Sequence, residues 1–413
     1  MYQEEILKYY SDKKLLNAIL EASLDREVVP ILSSGSFGKR PNAVFYERDI
    51  EQLVKEGAIS FHGSVERWKN PLSLRTDMRR ADFDKLRAGW DLIIDIDCDR
   101  ELEYAKKAAK AVCKALRGRG LKSYSVKFSG NRGFHIGVPF EVFPKSIMGI
   151  GEISKQFPKI PHMLINYIKY LVKAPLQDEF GEDPDKILVL DSALVTSRHL
   201  IRMPYCLHRK TWLVSLPIKE AEIDSFKKED AQAGKVSVKG KFLDRAVEEN
   251  EALELLQSAV SWNSSREKER KSVQKIDFKL PAQAIQTEFF PPCIQNILEG
   301  IEDGRKRSVF VLTTYLHNIG WKQPDIEKLL LSWNQNNKPP LRENFVQATM
   351  KSQYTNRKPQ MAPNCSNTSY MKGFGACTPN EFCKTIKNPV TYTLNKVKLA
   401  RKYRRRPKRG KNK

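Results

Sequence analysis

The chain has 413 residues, too many for a single hydrophobic core of ordinary size, and predicts two or three domains. Hydrophobic residues make up 40% and charged residues 29%, which excludes a largely disordered chain and predicts globular domains. Lys and Arg number 72 against 49 Asp and Glu; the resulting +23 exceeds what solubility requires and points to a polyanionic partner, nucleic acid first.

The N-terminus, MYQEEILKYY, lacks the basic and apolar regions of a signal peptide, and no apolar run approaches the roughly 20 residues that span a bilayer. No membrane association is expected, and the protein is read as cytoplasmic. Over residues 1–260, short β-rich runs (WDLIIDID, SYSVKFS, KILVLD, TWLVSLPI) alternate with helical stretches such as ELEYAKKAAKAVCKALRG and HMLINYIKYLVKA, predicting a mixed α/β domain.

The run from Trp90 ends in Asp95-Ile96-Asp97, and strand alternation places both carboxylates on one face. Two carboxylates that close favour a divalent cation such as Mg²⁺ or Mn²⁺, with a solvated strand end as the alternative. The strand SYSV leads into a turn holding Ser129, Gly130, Arg132, Gly133 and His135, where glycines allow close approach and the polar groups can donate to phosphate. A plain hairpin is the bland reading of that turn. KILVLD ends in Asp191, which could complete a two-metal site for phosphoryl transfer or could simply cap a helix. Arg202, His208, Arg209 and Lys210 form a second cationic cluster, which alone would read as solvated surface.

Between Ser261 and Gln283 apolar periodicity is lost, predicting a linker over 261–285. The following segment is helical at first and then loop-rich around Cys365, Cys377 and Cys383. Seven cysteines, an odd number in a reducing compartment, argue against a disulfide framework. Cys98, Cys113 and Cys206 read as small buried residues. Cys293, Cys365, Cys377 and Cys383 could be buried thiols or ligands of Zn²⁺ or a [4Fe-4S] cluster. From Asn395 to Lys413 eleven Lys or Arg occur with no acid, predicting a disordered tail: a phosphate-binding arm, a solubilising tail or a localisation signal.

Taken in order and spacing, Asp95-Ile-Asp97, the S-G-N-R-G-F-H segment ending at His135, and Asp191 followed by V-T-S-R-H-L-I-R-M-P-Y-C-L-H-R-K-T resemble the catalytic motifs of the archaeal and eukaryotic primase small subunit. HGSVERWKNPL from His62 and LRAGWDLIIDID from Leu86 are similar to the archaeal form. The resemblance implies two metals on Asp95, Asp97 and Asp191, and a triphosphate site at Ser129, Gly130, Arg132, Gly133, His135, Arg202, His208 and Lys210. Asn131 stands where some relatives have a second arginine. Where many relatives carry a zinc knuckle, this half has no C-x-x-C spacing, so no zinc site is expected.

PPCI at Pro291, G-R-K-R-S-V-F-V-L at Gly304, Y-L-H-N-I-G at Tyr315, then A-P-N-C, G-A-C and E-F-C resemble the C-terminal domain of the primase large subunit. This implies a [4Fe-4S] cluster on Cys293, Cys365, Cys377 and Cys383, with template or initiating-nucleotide contacts at Arg305, Lys306, Arg307 and Tyr315.

The fold class expected is therefore α+β (mixed α/β), of the archaeo-eukaryotic primase type, over residues 1–260. A linker (261–285), a mainly α-helical iron–sulfur domain (286–394) and the basic tail (395–413) follow. The resemblance implies a single-chain, monomeric, nucleoid-associated primase that makes primers de novo. Its partners would be single-stranded DNA template, nucleoside or deoxynucleoside triphosphates and primer–template duplex, with a replicative polymerase or helicase beside them. A primer-extending repair polymerase and a non-catalytic single-strand-binding factor are the rival readings.

Overall fold

Leu92–Cys98 alternates between buried and partly open residues, as a strand does when helices cover one face of its sheet and the other face opens onto a site. The computed structural model describes residues 2–75, 78–190, 196–273, 280–355 and 360–404, and its chain divides into two units, 1–274 and 275–413.

The first unit runs α1 (Gln3–Tyr9), α2 (Lys13–Ser23), β1 (Val28–Leu32), α3 (Glu47–Lys55), β2 (Ala58–Ser64) and β3 (Glu66–Trp68). It continues with α4 (Arg80–Leu86), β4 (Arg87–Trp90), β5 (Leu92–Cys98), α5 (Leu102–Arg117), β6 (Ser125–Phe128) and β7 (Phe134–Val138). A hairpin of β8 (Ser146–Ile147) and β9 (Gly151–Glu152) leads to α6 (Lys159–Phe180), β10 (Leu188–Leu190), β11 (Leu200–Arg202), β12 (Pro217–Ile218) and α7 (Leu253–Val273).

Five strands form an antiparallel sheet in the order β10-β5-β7-β6-β12, and β1-β2-β11 form a second antiparallel sheet. On α5 the buried residues Ala105, Ala108, Ala109, Val112, Cys113 and Leu116 recur three and four apart, a single apolar face. That face shares one core with Leu92, Ile94 and Ile96 of β5, Val126 and Phe128 of β6, and Phe134 and Ile136 of β7. Each large apolar side chain buried there contributes about 1.5–3 kcal/mol. Because these residues occupy the helix-covered side, the alternate positions Asp95, Asp97, Lys127 and His135 are left for the other. A second core joins α1, α2 and α3 to β1 and β2. Cys98, Cys113 and Cys206 are buried, as their isolation in the sequence suggests.

Asp91, between β4 and β5, is held by the buried guanidiniums of Arg26 and Arg67 and accepts from the Phe140 N–H at 2.9 Å. Burial pushes the Asp91 carboxyl up, but Arg67 and then Arg26 outweigh it and hold its pKa at about 2. Its contribution to stability is complete above the ordinary carboxylate pKa and is lost as pH falls through about 2. Asp91→Ala, which strands two buried cations at the root of the strand bearing Asp95, is expected to cost about 3–5 kcal/mol in denaturant unfolding. A loss below about 1 kcal/mol would place the guanidiniums in water instead.

The second unit comprises α8 (Pro292–Leu298), α9 (Arg305–Asn318), α10 (Gln323–Gln335), α11 (Glu343–Thr355) and α12 (Pro389–Arg404) around one apolar core. The start of the linker and the disorder of the tail are corrected. The unit boundary falls within 261–285, but α7 continues to Val273, so the first half of that segment is helix. The basic tail is helical over 395–404 as the end of α12, whose first turns are anchored in the core by Val390 and Tyr392; residues 405–413 lie outside the described ones. Among the described residues no helix is long and apolar enough to cross a membrane.

Candidate active site

The pairing of three neighbouring strands builds the site. Asp95 on β5 stands opposite His135 on β7, and His135 stands opposite Lys127 on β6, so the three share one face in a cross-strand row. The Lys127 ammonium Nζ lies 2.7 Å from His135 Nδ1 and donates to Ser215 Oγ at 2.8 Å. His135 Nε2 lies 3.3 Å from Asp95 Oδ1. Burial pushes the Asp95 carboxyl up, yet His135 and Lys127 more than compensate and hold it below its usual range. Burial pushes Lys127 well below the usual lysine range, and Arg202 pushes it further the same way. His135 is lowered by burial and then by Lys127.

Asp97, two residues along β5, lies on the same face as Asp95 and receives Arg132 Nη2 at 3.2 Å, while the other arm of Arg132 reaches Asp99. Val189 and Leu190 of β10 pair with Asp97 and Ile96, so β10 brings the chain to the carboxylate end of β5. Asp191 follows Leu190 in sequence and lies outside the described residues.

The glycine turn between β6 and β7 closes tightly: Ser129 N–H donates to Gly133 O at 2.9 Å and Gly133 N–H to Ser129 Oγ at 3.3 Å. Gly130 has φ +94°, and a Cβ there would meet the His208 side chain. A Cβ on Gly133 would fall 1.7 Å from Ile96 O, so only glycine lets the turn rest on β5 between the two aspartates. Gly133→Ala is expected to displace the turn and weaken any nucleotide bound there about 10-fold or more, read by equilibrium binding; unchanged affinity would dissociate the turn from the site.

Arg202, paired with His62 across β11 and β2, donates from Nη1 to Ser129 O at 2.8 Å. Burial lowers its pKa to about 10, which leaves it cationic at neutral pH. His208 Nδ1 accepts from the N–H groups of Lys210 and Thr211 at 3.3 and 3.2 Å, and the Thr211 hydroxyl donates to Gly130 O at 2.6 Å, tying that loop to the turn. Burial first, then Arg202, Arg209 and Lys210, lowers His208 to about 4, so it works as a neutral hydrogen-bonding group. Lys210 and Arg132 are exposed, whereas Ser129 and His135 are largely buried.

Asp95 Oδ1, His62 Nε2 and Arg202 Nε are buried polar atoms without a hydrogen-bond partner. A carboxylate on one sheet and a guanidinium on the other, each with an orphaned buried atom, indicate an incomplete polar shell. Carboxylates beside buried cations and a glycine turn suit a divalent cation carrying a polyphosphate. Lys127 and His62 carry no role in the sequence reading. A lysine on a strand reads as solvated, and only the pairing with β7 reveals its place.

In the second unit Cys293, Cys365, Cys377 and Cys383 line one cavity of about 510 Å³, with Lys372, Lys387 and Tyr392 beside them. Cys293 sits in the first turn of α8, Cys365 N–H donates to Lys387 O at 2.9 Å, and Cys383 N–H donates to Asn380 O at 3.0 Å. Burial and then the other three thiols push Cys293 up to about 12. Four thiols facing one cavity are a donor set suited to a cationic iron–sulfur core. Among the described residues, no three His, Cys, Asp or Glu side chains are grouped to hold a single metal ion.

Arg305, Lys306 and Arg307 open α9. Arg305 donates to Pro339 O; Arg307 donates to Ser369 O at 2.7 Å and lies over the Phe374 ring; exposed Lys306 lies over Phe345. Tyr315, expected as a template contact, is instead fully buried, edge-on to Phe290 with its hydroxyl 2.7 Å from Thr393 Oγ1. It is a core residue.

Residues 94–220 match the family model described as DNA primase small subunit, a segment containing Asp95, Asp97, Ser129, Arg132, His135, Asp191, Arg202, His208 and Lys210. The chain is 30% identical over 214 residues to the DNA primase small subunit PriS of Pyrobaculum calidifontis, covering 42% of this chain and 64% of that protein. It is 26% identical over 119 residues to the DNA primase large subunit PriL of Methanococcoides burtonii, covering 28% of this chain and 31% of that protein. The polymerase domain of Mycobacterium tuberculosis Ligase D in complex with DNA, 14% identical, aligns over 63% of this chain and 88% of its own with a TM-score of 0.37. The chain spans between 30% and 64% of the length of such curated relatives.

Proposed function

We propose that this chain is a DNA primase, a template-directed nucleotidyltransferase that starts short primers on single-stranded DNA. The observation that carries the reading is the pair Asp95 and Asp97 on one sheet face, beside the Ser129–Gly133 turn and the half-buried Arg202. Asp95, Asp97 and Asp191 would hold two divalent cations, Mg²⁺ or Mn²⁺, whose chemistry when bound is to activate an attacking hydroxyl and stabilise a leaving oxygen.

The protein's own groups then have separate tasks. Ser129 and the glycine turn, with Gly130 and Gly133 free of side chains, bring backbone close to the triphosphate of a nucleoside or deoxynucleoside triphosphate. Arg202, half-buried and tied to Ser129 O, supplies fixed positive charge, and Arg132 and Lys210 supply charge from the rim. His208, neutral and tied to the turn, offers a hydrogen bond without adding charge. Arg132 exchanges its present partners, Asp97 and Asp99, for phosphate oxygens when the nucleotide enters.

In the second unit Cys293, Cys365, Cys377 and Cys383 would hold one [4Fe-4S] cluster, which when bound would cross-link segments distant in sequence. Arg305, Lys306 and Arg307 at the start of α9 would meet template or the initiating nucleotide; Tyr315 has no such role. Excess basic charge would hold single-stranded template and primer–template duplex, with affinity falling as salt rises.

The test of the nucleotide site is equilibrium binding of a non-hydrolysable nucleoside triphosphate and of the matching nucleoside, each with Mn²⁺. Triphosphate binding at least about 100-fold tighter than nucleoside binding is expected, since most contacts fall on phosphate. Equal affinities would refute the assignment of the turn and Arg202.

A further inference from the structure

Glu27 and Glu66 are buried carboxylates, each 0% exposed, that the proposed reaction leaves without a task. Both reach the same residue, Arg198. Glu27, just before β1, accepts from Arg198 Nε at 3.1 Å and from its Nη2, a two-point pairing. Glu66, at the start of β3, accepts from the Arg198 backbone N–H and from the Ser197 hydroxyl, the latter at 3.2 Å. The Arg198 carbonyl accepts from Arg40 Nη2 at 2.8 Å. The backbone donor, the backbone acceptor and the guanidinium of this one residue are therefore all tied down.

Arg198 sits where the chain enters β11. It lies in the turn that His199 N–H closes onto Thr196 O at 3.1 Å, and its φ is +61°. A residue other than glycine keeps that left-handed conformation where its surroundings impose it. Four residues on is Arg202, and the strand that carries it, β11, has three residues and stands at the edge of its sheet against β2. So short a strand has few ladder bonds to set its register. A slip of one residue would turn Arg202 to the opposite face, away from Ser129 O.

We propose that Arg198 is a positioning residue that acts through Arg202: clamped by Glu27 and Glu66, it fixes the register of β11 and so holds the Arg202 guanidinium against the glycine turn, where it meets a nucleotide's phosphates. The inference rests on the reading of Arg202 as a triphosphate contact and deepens it. Neutralising the two carboxylates does not require Arg198, because each has another arginine. Arg40 pairs with Glu27 at 2.7 and 3.0 Å, and Arg87 with Glu66 at 2.7 and 2.9 Å. Removing the Arg198 side chain therefore strands no buried charge and leaves the fold its main supports.

The test is a double-mutant cycle in the full chain: unsubstituted, Arg198→Met, Arg202→Met and the two together, each titrated with a non-hydrolysable nucleoside triphosphate and with the matching nucleoside in the presence of Mn²⁺. Arg198→Met is expected to weaken triphosphate binding about 10-fold and nucleoside binding by no more than about 2-fold, because a displaced Arg202 loses its hold on phosphate alone. In the chain that already lacks the Arg202 guanidinium, Arg198→Met is expected to change triphosphate affinity by less than about 2-fold, since nothing is left for it to position. Melting curves report folding. Should Arg198→Met fail to fold, Arg198→Gly, which adopts φ +61° without strain, takes its place in the cycle with the same expected results.

A loss confined to the triphosphate and absent from the Arg202→Met background supports the proposal. Unchanged triphosphate affinity in the folded variant overturns it. So do losses that add in the double variant, which would make Arg198 independent of Arg202, and an equal loss of nucleoside binding or failure of both variants to fold, which would assign it to general stability. An unsubstituted chain that binds triphosphate no more tightly than nucleoside defeats the nucleotide reading itself, and the role of Arg198 falls with it.

Discussion

Replacing Asp95 by Asn is expected to lower nucleotide incorporation by at least about 10³-fold while changing single-stranded DNA affinity by no more than about 2-fold. The first figure follows from losing a ligand to cations worth several kcal/mol in the transition state, at 1.36 kcal/mol per factor of ten. The second follows because template affinity is carried by Lys and Arg spread over the chain, and one carboxylate on a sheet face adds little to that sum. Asn keeps the shape of the side chain and can keep its contact with His135, so folding should persist. Incorporation and fluorescence-based DNA binding on the same preparation separate the two effects. Retained incorporation would remove Asp95 from the chemistry, and joint loss of both activities would point to unfolding.

Replacing Cys383 by Ser should have the other large effect. In anaerobically purified protein, bound iron is expected to fall from about four atoms per chain to near zero, with loss of the broad visible absorbance of an iron–sulfur centre. Three remaining thiols cannot complete a four-thiolate set, and Cys293 already resists ionisation through burial and its fellow cysteines. Starts on unprimed template should fall about 10-fold or more, while extension of a supplied primer stays within about 2-fold, because the carboxylates proposed to hold metal lie in the other unit. Unchanged iron content would place the cluster assignment in error. Equal loss of initiation and extension would assign the cluster to general stability.

The Asp pair was legible because strand alternation is a local rule: WDLIIDID states both the core face and the polar face of β5. Register was not legible. Nothing near Lys127 in sequence indicates that it stands opposite His135, since that depends on how β6 pairs with β7 after the glycine turn. Arg202 reaches Ser129 because β11 joins β2, a strand some 140 residues earlier, a pairing no local pattern encodes.

Tyr315 reads as core from the residues around it, and only the resemblance makes it a template contact; Phe290 and Thr393, distant on either side, enclose it. The run from Asn395 reads as tail because its charges conceal α12, a helix that begins earlier, at Pro389, with Val390 and Tyr392 already buried. Wide cysteine spacings permit several ligand sets, and it is the return of the chain at Asn364–Ser366 and Cys377–Lys387 that gathers the four thiols around one cavity.

The most direct test of primase function is incorporation of labelled nucleotide on unprimed single-stranded DNA with Mg²⁺ or Mn²⁺, using the anaerobically purified chain with no added partner. Short products that depend on the template and on the divalent cation, and that vanish with Asp95→Asn, are the expected result. Extension of a supplied primer with no products on unprimed template would contradict the proposal that this chain starts primers by itself.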